Sequence, residues 1–225
     1  MKNKISKIGM LSALALSCTL TMGARDIVQR TAHYMPEGNA FVCVNGSSRY
    51  TRALYGSTAE WRLETSDRPV FATYKKNQTG NIRFRISNGE QMMWLDEAEY
   101  CKASYEAGRR NYLLKDRRWG KGELDISVLA FPDTEGAVWR FTVRGFDNRK
   151  LKVEAVLSQT AVPKPVRSGD IGSFLKPGTF EPATSETSVL GSVSRLSPGS
   201  IFYFSVDGEN QLSTAENAKM QSRYD

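Results

Sequence analysis

Histidine is almost missing: His33 is the only one in 225 residues. A serine nucleophile would have to draw its general base from that one imidazole, in the leader-like stretch "RTAHYMPEG". Cysteine is nearly as scarce. Cys18, Cys43 and Cys101 stand apart from one another and from His33, so no zinc-ligand spacing exists. No glycine-rich loop precedes a helix, which leaves nucleotide phosphates without a cradle. No apolar run reaches the roughly 20 residues needed to cross a bilayer. Helical periodicity is rare too. The only helix-like stretch of the body, 95–107, also alternates, with Tyr100, Lys102 and Ser104 interleaved with Cys101, Ala103 and Tyr105.

The longest apolar run, 8–20, follows Lys2, Lys4 and Lys7 and precedes Gly23 and Ala24. This is the layout of a secretory signal over residues 1–24, with cleavage expected near Ala24. Cys18 opens a second option, lipidation after Ala15-Leu16-Ser17, which would make an outer-membrane lipoprotein of an otherwise periplasmic or secreted chain. Membrane attachment is expected only in that case. The 31 basic residues less the three signal lysines leave 28 against 24 acidic ones, a net of +4. Basic residues alternate with apolar ones, as in Arg83-Phe84-Arg85, rather than forming a stripe, and nucleic acid is not an expected partner. Export would permit a disulfide between Cys43 and Cys101; two buried free thiols are the alternative.

Period-two patterning dominates what remains. Segments 39–45 and 49–55 read as a first hairpin turning at Gly46. Strands follow at 60–65, 70–74, 81–86, 91–95, 100–105, 110–114, 123–131, 137–144 and 150–157, separated by turn formers such as Asp67-Arg68-Pro69. In one strand Leu124, Ile126 and Val128 alternate with Glu123, Asp125 and Ser127. In the next, Trp139, Phe141 and Val143 oppose Val138, Arg140, Thr142 and Arg144. Each has one buried face, as in antiparallel sheets. Residues 158–200 hold five prolines and suggest only short edge strands, at 179–181 and 188–193. "SIFYFSVD" is the last clear strand. After it, Ser213 reads as an N-cap, with Ala215, Ala218 and Met220 at near-helical spacing. The expected architecture is all-β: one large antiparallel sandwich over 25–212, with a helix beginning in 213–225.

Chemistry-bearing groups are few. "WLDEAEY" offers Asp96, Glu97 and Glu99, but closeness in sequence does not place two carboxylates on opposite sides of a glycosidic bond. Trp61 and Trp139 fit a sandwich core. Trp119 lies among charges and glycines in "KDRRWGKGEL", where it is either a loop plug or a platform for a sugar or another domain. Arg109-Arg110 and Arg117-Arg118 could meet carboxylates of acidic glycans or form surface ion pairs. Arg49, Tyr50 and Arg52 crowd the second strand with polar groups and are candidate contacts for a glycan or a neighbouring domain. No catalytic residue, cofactor or metal is assigned.

Four segments together carry a resemblance: "MPEGNAFVCVNGSSRYTRALYG", "AEWRLETSDRPVFATY", "MWLDEAEYCKASYEAGRRNYLLKD" and "WGKGELDISVLAFPDTEGAVWRF". They resemble the N-terminal region of large secreted proteins of polysaccharide-degrading Gram-negative bacteria, a domain of unknown function. The resemblance spans residues 35 to about 207. It implies a β-supersandwich followed by a linker helix and an (α/α) six-hairpin toroid of glycosidase type, with the catalytic carboxylates in the toroid. On this resemblance the expectation is a chain lacking the toroid, with the helix expected after Ser213 as the start of the linker. The reading is therefore a non-catalytic front domain of a glycan-degrading protein, with a polysaccharide or oligosaccharide and the helical toroid as partners. A free-standing carbohydrate-binding module is the alternative. A self-contained hydrolase using Asp96 or Glu99 is a third reading.

Overall fold

The computed structural model describes residues 34–48, 50–56, 60–75, 78–146, 150–159, 188–209 and 211–216. The signal-like segment, Cys18, His33, Arg49 and the candidate edge strand at 179–181 lie outside the described residues. The described residues fold into two antiparallel sheets. The strands are β1 (Met35–Glu37), β2 (Ala40–Val44), β3 (Tyr50–Tyr55), β4 (Trp61–Ser66), β5 (Val70–Lys75), β6 (Gln78–Ser87), β7 (Met92–Trp94) and β8 (Tyr100–Glu106). They continue as β9 (Arg109–Lys115), β10 (Glu123–Ala130), β11 (Gly136–Arg144), β12 (Leu151–Gln159), β13 (Ser188–Leu196), β14 (Ile201–Asp207) and β15 (Leu212–Glu216). One sheet runs β1-β2-β8-β9-β10-β11-β14-β15, the other β13-β12-β6-β5-β4-β3, with β7 also on β6. The helix-like stretch at 95–107 is a single 3-10 turn, Leu95–Glu97, followed by β8.

The two inner faces meet in an aromatic core. Phe84 of β6 is its hub, with ring centroids 5.0 Å from Phe141, 5.3 Å from Phe204, 5.8 Å from Trp139 and 5.9 Å from Phe71. Most of these pairs are tilted or edge-to-face, the arrangement that the ring quadrupoles favour. Trp61 and Trp139 are buried as their alternation implies, and Arg140, Thr142 and Arg144 face outward from β11.

Two expectations are corrected. First, β2 and β3 do not form a hairpin: β2 pairs with β1 and β8 in one sheet, and β3 pairs with β4 in the other. The intervening "NGSS" is a corner between sheets. Asn45, at φ +51°, extends the β8 ladder through its side chain: its N–H donates to the Cys101 carbonyl (2.8 Å) and its Oδ1 accepts from the Cys101 N–H (2.9 Å). Gly46 lies so close to Asp67 that a Cβ there would sit 2.4 Å from the carboxyl carbon. Arg68 closes the corner, donating from Nε to the Gly46 carbonyl (2.8 Å) and from Nη1 to the carbonyls of Asp96 (2.9 Å) and Ala98 (2.8 Å). Nor do the strands alternate strictly: β2 buries the adjacent Val42 and Cys43, and the register of β3 shifts between Tyr50 and Arg52.

Second, the helix expected from Ser213 is strand β15 as far as Glu216, paired with β14 in the register Phe204↔Thr214. The open edge of β14 offers unpaired backbone groups, and satisfying them outweighs a weak helical spacing. Gly191 of β13 lies against Leu212 and Thr214, so the edge strands of the two sheets meet here. Residues 217–225 lie outside the described residues.

Of the two readings open for the cysteines, the structure has the buried free thiols: Cys43 and Cys101 are unbonded. Cys43 faces Ala103 across β2 and β8, which puts Cys101 two residues along, a diagonal neighbour. Diagonal pairs lie about 7–8 Å apart, against the roughly 3.5–4.5 Å between Cβ atoms that a disulfide needs.

Candidate functional site

One end of the sandwich opens into a cleft of about 710 Å³, in the range of ligand pockets. Its floor is apolar, made of Ile86, Met93, Phe146 and Leu151, all nearly buried. One wall is the turn between β9 and β10. There Asp116 caps the 3-10 turn Arg117–Trp119, accepting from the Arg118 N–H (3.0 Å), while the Arg118 guanidinium closes on the same carboxylate at 2.6 and 2.7 Å. This grip holds the Asp116 carboxyl well below its ordinary range, at about 2.

Local geometry then places Trp119. Gly120, at φ +59°, reverses the chain, and the Gly122 N–H donates to the Trp119 carbonyl (2.9 Å). A Cβ at Gly122 would meet the Phe146 ring at 2.7 Å, and one at Gly145 would meet the Lys121 carbonyl at 2.5 Å. The two glycines let the chain after β11 press against the turn, bringing the Phe146 ring to 5.5 Å from that of Trp119. The opposite wall comes from the end of β6 and from β7. Asn88 holds the connecting turn, its Oδ1 accepting from the N–H groups of Glu90 (3.0 Å) and Gln91 (2.8 Å). Met92, Gln91, Lys121 and Arg118 form the rim.

The lining thus combines two aromatic rings, amide and basic side chains, and no carboxylate. The acids of "WLDEAEY" lie elsewhere. Asp96 holds Arg83 (2.7 Å) and Glu99 holds Arg117 (2.8 Å). No group of three or more metal-ligating side chains occurs among the described residues.

Of the residues expected to contact a glycan or a neighbouring domain, Trp119 and Arg118 line this cleft. Arg110 and Tyr50 are corrected outright. Neighbouring residues of a strand face opposite ways, so Arg109 stays exposed near Glu106 (3.9 Å) while Arg110 points between the sheets, fully buried. Arg110 Nη2 donates to the Tyr34 hydroxyl and the Ser66 carbonyl, both at 2.6 Å, and Nε donates to the Tyr112 hydroxyl at 3.3 Å. Tyr50 is likewise interior, at 3% exposure. Arg52 is half-buried over the rings of Tyr34 (5.4 Å) and Tyr105 (5.3 Å), and spends one donor on the Thr51 carbonyl. Sequence reasoning missed Phe146, Met92, Gln91 and Lys121. The readable signal was the run of glycines beside aromatics in "WGKG" and "RGF".

The fold and cleft define an all-β antiparallel sandwich with an open, aromatic-walled end. Residues 77–181, from β6 through β12 and beyond, match the family model of a domain of unknown function (DUF4450). No curated protein matches the chain. Among the described residues no helix is long and apolar enough to cross a membrane.

Proposed function

We propose that this chain is a non-catalytic, exported saccharide-binding sandwich of a glycan-degrading system. The observation that carries the reading is the cleft. The half-buried indole of Trp119, backed by the buried Phe146 ring, forms an apolar wall suited to the C–H face of a pyranose. Gln91, Arg118 and Lys121 supply rim donors for its hydroxyls, and no carboxylate in the lining can serve as acid or nucleophile. The resemblance to the front region of six-hairpin-glycosidase-like proteins supports a glycan context and suggests a helical toroid as partner. The cleft would serve equally in a free-standing binding module. The basic, apolar layout of residues 1–24 supports export to the periplasm or beyond, and lipidation of Cys18 would hold the domain at the outer membrane.

The test is affinity electrophoresis against a broad panel of soluble polysaccharides, followed by calorimetry on the best oligosaccharide. Retardation by at least one polysaccharide, lost in Trp119→Ala, is expected. A folded wild-type domain that binds nothing on the panel overturns the reading.

A further inference from the structure

The outer face of the eight-stranded sheet is a separate surface, and it is not a uniformly ion-paired one. Antiparallel register sets Ser104, Asn111, Ser127, Arg140 and Tyr203 in one straight row across β8, β9, β10, β11 and β14. At about 4.8 Å per strand the row is roughly 19 Å long, enough for three or four linked pyranoses. A depression of about 520 Å³ lies over its first four members. The floor is low because serine and asparagine are short, while the parallel row beside it carries Lys102, Leu113, Asp125 and Thr142, and Arg144 stands one row beyond.

The charges of that second row are spent: Lys102 on Glu37 (2.7 Å) and Asp125 on Arg144. Arg140 is exposed and makes no ion pair or hydrogen bond with any described residue. The trough therefore offers free hydroxyl and amide groups beside one uncompensated guanidinium, with the half-buried Tyr203 at its end.

We propose that this trough is a second binding site, for an extended carboxylated saccharide lying across the strands. One carboxylate takes the planar fork of Arg140, which a neutral sugar cannot engage in the same way. The hydroxyls of the chain exchange hydrogen bonds with Ser104, Asn111 and Ser127, and a terminal ring stacks on Tyr203.

Calorimetry with tetragalacturonate and with cellotetraose tests this on the whole chain. Wild type should bind the acidic probe and not the neutral one at this face, with affinity falling as salt rises. Arg140→Gln should weaken binding about tenfold to a hundredfold, the range for hydrogen bonds to a charged group. Ser127→Glu, which sets a carboxylate directly across from Arg140, should do the same. Arg195→Gln, which removes an exposed arginine from β13 of the other sheet, should leave tetragalacturonate binding unchanged. Both trough variants are surface changes, and circular dichroism verifies their folding. Absence of tetragalacturonate binding, binding that survives Arg140→Gln, or its loss in Arg195→Gln would each overturn the site. Failure of Trp119→Ala to affect the neutral saccharides of the panel counts against the cleft alone.

Discussion

Trp119 is the sharpest place to test the cleft, because it can be perturbed directly and through a neighbour. A pyranose stacked on the indole removes roughly 70 Å² of apolar surface from water. At about 25 cal/mol per Å² that is about 1.8 kcal/mol, or about twentyfold in Kd. Trp119→Ala should lose that factor, and Trp119→Phe only a few-fold. The indole is half-buried against Phe146 rather than central in the core, so folding should cost about 1–2 kcal/mol, less than the roughly 3–5 of a core tryptophan. Gly122→Ala supplies the independent arm. Its Cβ would meet the Phe146 ring at 2.7 Å. That ring must tilt into the cleft, so affinity should drop although every lining side chain remains. Calorimetry at 25 °C reads the affinities, and thermal melts separate them from stability. A Trp119→Ala protein that binds as wild type, or a Gly122→Ala protein with lowered stability and intact affinity, would refute this account of the cleft.

Other consequences follow from the packing. Arg68→Met should destabilise by about 2–4 kcal/mol, because three partly buried backbone carbonyls at the sheet corner lose a charged donor together; urea titration checks it, and a loss under 0.5 kcal/mol would contradict the role. Burial pushes the Cys101 thiol up to about 12 and raises Cys43 as well. Iodoacetamide at pH 8 should therefore label Cys101 only as fast as the protein opens, with mass spectrometry following the adduct. Asp116 is held near 2 by Arg118, below its ordinary value near 3.8. A depressed carboxylate stabilises the fold above its unfolded pKa, and that contribution is lost as pH falls from about 4 towards 2. Urea midpoints of Asp116→Asn should thus change less across that window than those of wild type.

Strand existence and facing were legible because a buried face leaves a period-two trace. Trp139, Phe141 and Val143 against Arg140, Thr142 and Arg144 is such a trace, and β10 and β11 follow it. Pairing partners were not legible. Asn45-Gly46 has the composition of a hairpin turn, yet the corner is set by Arg68 and Asp67, some 20 residues away in sequence. The same limit explains Arg110. Two adjacent arginines look alike as letters, and only the strand's orientation in the sandwich sends one inside. The Ser213 segment carries a faint helical spacing that the waiting edge of β14 overrides. At the candidate site, Trp119 was visible as an aromatic in a loop too polar for a core. Its companion Phe146 was not, because the glycines that let the two rings meet act through contacts between distant turns.

By itself, then, the sequence determined the class of protein, since alternation is a local consequence of one-sided burial and needs no knowledge of neighbours. Its single histidine and isolated cysteines set narrow bounds on chemistry. The tertiary structure decided which strands share a sheet, which of two adjacent arginines is buried, and that Trp119 stands against Phe146 at the edge of an apolar floor. Those outcomes rest on close approach between segments far apart in the chain, where the lack of a Cβ at Gly46, Gly122 and Gly145 admits a neighbour that any other residue would exclude.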